Sequence, residues 1–443
     1  MSDIIPAHSR RAFLSTSAAA AAAAAMAGPL GVFPAQAASA AEAGAGPAAA
    51  AGERIRPFRV HFPRKDLVDL RRRILDTRWP EKETVLDQSQ GTQLATMKKL
   101  AHYWATEYNW RTVEAKLNSH PQFITEIDGL DIHFIHVRSR HKNALPLIVT
   151  HGWPGSIIEQ LKIIEPLTNP TAHGGKASDA FHVVIPSMPG YGFSGKPTTK
   201  GWGPERIARA WAELMKRLGY TKYVAQGGDW GAIVTDLMGL QEPRGLLGIH
   251  TNMPGVIPPA IDQAIAKGNP LPAGTVLSAE EKATVKQLDF VYRHVYYAYM
   301  MGSRPQTLTG LEDSPTGLAS FLLDHDAASL AMISRVFDGH REGLSRDDVL
   351  DNITLFWLTK TAVSAARLYA ENTVPFFGAK GVKLPVAVSV FPDELYQAPK
   401  SWARQAYPNL IHYNKLPKGG HFAAWEQPRL LVSEIRTGFR PLR

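Results

Sequence analysis

Gly227-Gly228-Asp229-Trp230-Gly231 closes an apolar run, Tyr223-Val224-Ala225-Gln226. Small residues on both sides of one reactive side chain are the spacing of a sharp strand-to-helix turn. An elbow that carries Ser makes acyl-enzymes from esters and amides. Asp229 changes that chemistry, because a carboxylate attacks an sp3 carbon and becomes an alkyl ester of the protein itself. Its targets would be strained ethers such as epoxides, or alkyl halides. The motif alone also reads as a Gly-rich turn in which Asp caps a helix, so the remaining parts must decide.

The second candidate is His421, in Lys418-Gly419-Gly420-His421-Phe422. Upstream, Phe391-Pro392-Asp393-Glu394-Leu395 offers two acids. Either Asp393 or Glu394 could hold the imidazole in one tautomer and stabilise the imidazolium. Asp229, then an acid, then His421 is the nucleophile–acid–base order of an α/β-hydrolase. His151-Gly152-Trp153-Pro154-Gly155 falls where that fold places its oxyanion loop. The backbone N–H groups of Trp153 and Trp230 are expected to hold a developing oxyanion. Opening a strained ether also needs a proton for the departing alkoxide, and a phenol is a neutral donor at pH 7. Tyr292, Tyr296, Tyr297, Tyr299 and Tyr369 are candidates; the residues by themselves do not choose among them.

Elements must position these groups. Residues 58–110 carry helical periodicity, with one stripe of Leu67, Leu70, Ile74 and Leu75 and a second of Leu94, Met97, Leu100, Ala101 and Trp104. Pro80 stops the first, and a third short helix is expected over residues 112–117. The period then changes to that of strands. Residues 123–127 and 132–137 flank Asp128-Gly129, a hairpin signal. Apolar strands at 145–150, 181–185, 223–226 and 246–250 alternate with helices at 157–167, 204–218 and from 232 onward. Such alternation predicts a doubly wound parallel sheet. Between residues 254 and 369 the chain is helical, Pro-interrupted and aromatic, a cap over the sheet's C-terminal edge, where such folds bind ligands. Strands resume at 385–390 and 411–414, and a last helix spans 428–439.

The chain has 443 residues, ten Trp and no Cys. Disulfides, thiol nucleophiles and Cys-ligated metals are thereby excluded. No zinc spacing and no phosphate loop of the Walker type is present, and no cofactor is expected. Ser9-Arg10-Arg11-Ala12-Phe13-Leu14, an Ala-rich apolar stretch over 18–27 and Ala35-Gln36-Ala37 form a twin-arginine signal with a cleavage site. Residues 38–52 read as a disordered linker. The mature protein is therefore expected in the periplasm or outside the cell, without a membrane anchor. The net charge is +9, and removing residues 1–37, which hold Arg10, Arg11 and Asp3, leaves about +8. Its basic residues are scattered. The densest run, Arg71-Arg72-Arg73, sits beside Asp66, Asp69 and Asp76 and reads as a solvated helix face rather than a nucleic-acid patch.

From residue 56 onward the chain resembles the microsomal-type epoxide hydrolases. The resemblance rests on Thr77-Arg78-Trp79-Pro80, Asn109-Trp110-Arg111, Pro121-Gln122-Phe123, the 151–155 loop and Pro186-Ser187-Met188-Pro189-Gly190-Tyr191-Gly192-Phe193-Ser194. The Asp229 elbow and Gly420-His421-Phe422-Ala423-Ala424-Trp425-Glu426 complete it. It implies an α/β-hydrolase fold with an N-terminal helical extension and a helical cap inserted before the last strands. The divisions would be an N-terminal segment at 53–120, a core at 121–253 and 370–443, and a cap at 254–369. It further implies Asp229 as nucleophile, His421 as base, Glu394 as acid, and Tyr297 and Tyr369 as proton donors. The chain departs from the family at Met301, where Gln is usual. The implied partners are a small apolar epoxide and water, and a homodimer is compatible with this reading. Two rivals share the fold: a haloalkane dehalogenase-like hydrolase, and a ligand-binding protein without catalysis.

Overall fold

The computed structural model describes residues 52, 54–340 and 342–443. The predicted signal peptide and most of the linker lie outside these residues. One sheet runs through the molecule, with strands β1 (Arg56–Phe58), β2 (Gln122–Ile127), β3 (Leu130–Val137), β4 (Leu145–Thr150), β5 (Phe181–Pro186), β6 (Tyr223–Gly227), β7 (Leu246–Thr251), β8 (Val386–Val390) and β9 (Leu410–Lys415). Their spatial order is β1-β2-β3-β5-β4-β6-β7-β8-β9.

The sheet is mixed, where the alternation had predicted a parallel one. Strands β4 to β9 pair in parallel, but β1, β2 and β3 join one edge antiparallel. The hairpin explains the difference. Asp128 (φ 52°) and Gly129 (φ 78°) form a two-residue turn, and such a turn reverses the chain directly into its neighbour. The central strands β4, β6 and β8 are buried along nearly their whole length, because helices cover both faces. Val149, Ala225, Ile249 and Val388 belong to this core.

The first helix, Arg64–Leu75, buries Leu70 and Ile74. Leu75, expected in the same stripe, is 65% exposed, so the stripe is narrower than the sequence pattern suggested. The next helix, Leu94–Thr106, buries Met97, Leu100, Ala101 and Trp104 as expected. Asn109 caps the third, Trp110–Asn118, by accepting the Arg111 N–H.

Between β7 and β8 the described residues form helices and no named strand. Helix Arg346–Thr359 is the hub of this insertion. The Trp104 indole N–H donates to Thr354 Oγ1 (3.0 Å), and the Tyr108 hydroxyl donates to Asp351 Oδ1 (2.9 Å). The N-terminal helices are thus tied to the insertion. No helix among the described residues is long and apolar enough to cross a membrane.

Candidate active site

Strand β6 delivers Asp229. The residue has φ 51° and ψ −127°, directly before helix Trp230–Gln241. A left-handed φ at a non-Gly residue costs energy and marks a position held by its surroundings. The sharpness of the elbow explains its small neighbours. A Cβ on Gly227 would stand 2.1 Å from the Gly231 carbonyl oxygen. Across the turn, a Cβ on Gly152 would meet Asp229 Cβ at 2.4 Å, so the 151–155 loop can approach only because residue 152 lacks a side chain.

That approach brings the Trp153 N–H to Asp229 Oδ1, which accepts it at 2.7 Å. The Trp230 N–H also stabilises this carboxylate. Burial raises the Asp229 pKa, and the positive ends of His421, His325 and the two N–H groups oppose the rise. The loop is fixed from both sides. His151 Nε2 accepts the Met188 N–H at 3.1 Å, so its Nδ1 carries the proton and donates to Gly152 O at 3.0 Å. Burial holds His151 neutral, with its pKa lowered to about 4. From the helical insertion, Asn352 Nδ2 donates to Pro154 O at 2.7 Å, and Ser156 donates to Asn352 Oδ1 at 2.7 Å.

His421 follows β9 and lies at the edge of the same space. Its Nε2 stands 3.7 Å from Asp229 Oδ2, and its Nδ1 stands 2.6 Å from Glu394 Oε1. Asp393 is exposed and pairs with Gly420 only through backbone. The acid beside the imidazole is therefore Glu394. Burial alone would lower the His421 pKa. The charge and hydrogen bond of Glu394, then Asp229 and Asp326, outweigh it and raise the value to about 10. Glu426 shapes this loop by accepting the N–H groups of Gly420 (3.0 Å) and Phe422 (2.9 Å).

The insertion supplies the opposite wall. Tyr297 and Tyr369 line an apolar cavity with Asp229, Trp230, Phe376 and Leu395. Tyr297 stacks on Trp153 (4.7 Å between centroids), and Tyr369 meets Trp230 edge-on (4.8 Å). Burial, then the charge of Asp229, raises both phenols well above their usual pKa, so both keep their protons at neutral pH. The neighbouring candidates point elsewhere. Tyr296 and Tyr299 are 59% and 45% exposed, and the Tyr292 hydroxyl donates to Asp262 at 2.9 Å.

Three groups at the site escaped the sequence reading. Glu159 lines a small pocket behind Asp229 together with Gln160, Gln226, Asn252 and His421. Burial raises its pKa to about 8, against the pull of His421. Asn352 anchors the 151–155 loop from almost 200 residues away in sequence, a distance no local pattern spans. His325, backed by Asp326, packs its ring against His421 at 4.1 Å between centroids. A His between two Asp, Asp324-His325-Asp326, was the available signal.

Residues 55–160 match the family described as Epoxide hydrolase N terminus, and residues 146–287 match alpha/beta hydrolase fold. A protein of Stigmatella aurantiaca, provisionally named an epoxide hydrolase, is 51% identical over 398 residues, 88% of this chain and 86% of that one. The chain belongs to the epoxide hydrolase family. Another relative in the family, epoxide hydrolase 1 of Oryctolagus cuniculus, is 35% identical over 411 residues, 88% of this chain and 90% of its own. Juvenile hormone epoxide hydrolase from the silkworm Bombyx mori, a solved structure, superposes with a TM-score of 0.78 at 29% identity, covering 88% of this chain and 96% of that one. The epoxide hydrolases matched here thus share both the core sheet and the N-terminal segment with this chain.

Proposed function

We propose that the protein converts an apolar epoxide to a vicinal diol through a covalent ester on Asp229. The observation that carries this reading is the placement of Asp229 between His421 Nε2 and a cavity lined by Tyr297 and Tyr369. Both phenols donate hydrogen bonds to the epoxide oxygen. Asp229 Oδ2 attacks one ring carbon, the carbon–oxygen bond breaks, and a phenol proton neutralises the alkoxide. Alkylation removes the charge of Asp229, one of the anions that hold the His421 proton. The His421 proton then passes to the phenolate left by ring opening, and the neutral imidazole, oriented by Glu394, takes a proton from water. Water from the pocket beside Glu159 attacks the ester carbon. The oxyanion forms on Oδ1, where the Trp153 N–H already points and the Trp230 N–H adds to it. Collapse of the intermediate gives the His421 proton to the departing diol oxygen, and the carboxyl proton left on Asp229 passes to His421, restoring the starting pair.

Single-turnover hydrolysis of styrene oxide in heavy-oxygen water tests this route. Heavy oxygen in the peptide that contains Asp229, with unlabelled first-turnover diol, is expected. Labelled diol with an unlabelled peptide would mean direct attack by water and would remove Asp229 as nucleophile. A His421→Gln variant should accumulate the ester, visible as a mass increase equal to the epoxide.

The division into an N-terminal segment at 53–120, a core at 121–253 and 370–443, and a cap at 254–369 is part of this reading. It is supported by the helical run between β7 and β8. Export is also part of it, motivated by Arg10-Arg11 and the apolar stretch that follows. Replacing the pair by Lys-Lys should keep the protein in the cytoplasm; undiminished periplasmic accumulation would count against a twin-arginine signal.

A further inference from the structure

His325 has no part in the steps above, yet it faces the same carboxylate. It lies between helices Pro315–Leu323 and Ala327–Phe337 and is 5% exposed. Its Nδ1 stands 2.9 Å from Asp326 Oδ2. Its Nε2 is buried and has no hydrogen-bond partner among the described residues. His421 is built in the same way, with Nδ1 on Glu394 at 2.6 Å and Nε2 turned toward Asp229 Oδ2 at 3.7 Å. Two imidazoles, each held on Nδ1 by a carboxylate, thus stand beside the Asp229 carboxylate. One ligand atom from each of Asp229, His325 and His421 lies within 4.8 Å of the other two.

This is the construction of a metal site. Histidine ligands are oriented by a second-shell carboxylate on the far nitrogen, which fixes the tautomer and raises the basicity of the ligating atom. Zinc takes His nitrogen and carboxylate oxygen at about 2.0–2.2 Å, so tetrahedral ligands stand roughly 3.3 Å apart. The Asp229–His421 pair, at 3.7 Å, is already close to that spacing, and with all three ligand atoms within 4.8 Å of one another an ion would have to draw His325 inward. Two imidazoles and one carboxylate suit zinc and its late first-row neighbours better than magnesium or calcium, which prefer oxygen ligands. Three carboxylates, Asp229, Glu394 and Asp326, surround the two rings and favour a dication.

We infer that Asp229, His325 and His421 form a binding site for a divalent transition-metal ion, with Zn2+ as its probe, and that occupancy silences the enzyme. The ion would sit on the predicted nucleophile and base together, so it competes with the epoxide. The inference goes beyond the hydrolytic reading, and metal binding is measured without turnover. A failure of one is therefore distinguishable from a failure of the other.

Calorimetric titration of the mature protein with Zn2+, in a non-coordinating buffer near neutral pH, tests it. One site in the wild-type protein should weaken at least 100-fold in His325→Phe and in Asp229→Asn. Asp326→Asn should weaken it by roughly ten- to a hundredfold. His325→Gln serves as a second variant should the Phe substitution disturb folding. Zn2+ should raise the thermal midpoint of the wild type and not of His325→Phe. In the activity assay, Zn2+ inhibition of the wild type should be reversed by a chelator and relieved by excess epoxide, and His325→Phe should resist it relative to its own uninhibited rate. Wild-type binding that survives both His325→Phe and Asp229→Asn would place the zinc on other histidines and overturn the assignment. So would the absence of any binding event in the wild type.

Discussion

Asp229 and Tyr297 face each other across one cavity, but the chain holds them by different means. Asp229 stands at the end of a central strand, and backbone fixes it: a left-handed φ, two N–H groups and glycines that admit the neighbouring loop. Tyr297 comes from the helical insertion and is fixed by packing, its ring stacked on Trp153 and close to His325 and Tyr369. The position of Asp229 is therefore set by main chain, and that of Tyr297 by the side chains packed on it. In such a division the sheet wall would carry the proposed covalent chemistry and the insertion wall would set which substrate meets it.

The contrast is broken most severely at the elbow. Asp229→Ala should lower diol formation by about four orders of magnitude or more while leaving the fold intact. Appreciable turnover by the folded variant, followed by chromatography of the diol, would sink the assignment. On the opposite wall, Tyr297→Phe and Tyr369→Phe should each cost roughly ten- to a hundredfold in kcat/KM, and the pair about 10^3-fold. A double variant no slower than either single would mean that one phenol suffices. Glu394→Gln should slow ester hydrolysis by about 100-fold, against less than about threefold for Asp393→Asn. The reverse ranking would move the acid. Asn352→Ala, which frees the 151–155 loop from the insertion, should cost about tenfold in kcat with little change in KM. An effect on KM alone would place Asn352 with substrate binding.

The smallest effect is on stability. His421 has its pKa raised to about 10 in the folded protein, above the unperturbed value near 6.5. The folded state then binds more protons than the unfolded state between these values. The pair's contribution is fully present below about pH 6.5 and lost as pH rises toward about 10. Thermal midpoints measured across that window should fall more steeply for the wild type than for Glu394→Gln. Parallel slopes would mean that Glu394 does not hold the proton.

The same contrast governs what could be read in the sequence. Asp229, His421 and the hairpin at Asp128-Gly129 were legible because each depends on local chemistry: small residues around an elbow, Gly before a loop, a two-residue turn. The last helix, Pro428–Phe439, was legible to the residue, since Pro opens it and the apolar stripe is continuous. Strand β1 was not legible. Three residues carry no period, and its partner in β2 lies more than sixty residues away. Glu394 and Tyr297 were separated from Asp393, Tyr296 and Tyr299 only through family resemblance, because exposure of adjacent residues is decided by packing. Asn352 reaches the 151–155 loop from a distant element, which no spacing in the sequence announces, and for His325 the Asp-His-Asp run marks the residue but not the carboxylate it faces.

The bonds from Trp104 to Thr354 and from Tyr108 to Asp351 join partners 250 and 243 residues apart. During synthesis the N-terminal helices leave the ribosome long before those partners exist. The buried indole N–H of Trp104 must wait for them, since contacts of such long range close late. A nascent chain stopped before residue 346 would carry its finished elbow but lack the helix that accepts these two hydrogen bonds. The N-terminal helices thus complete their burial only once the helical insertion has been made.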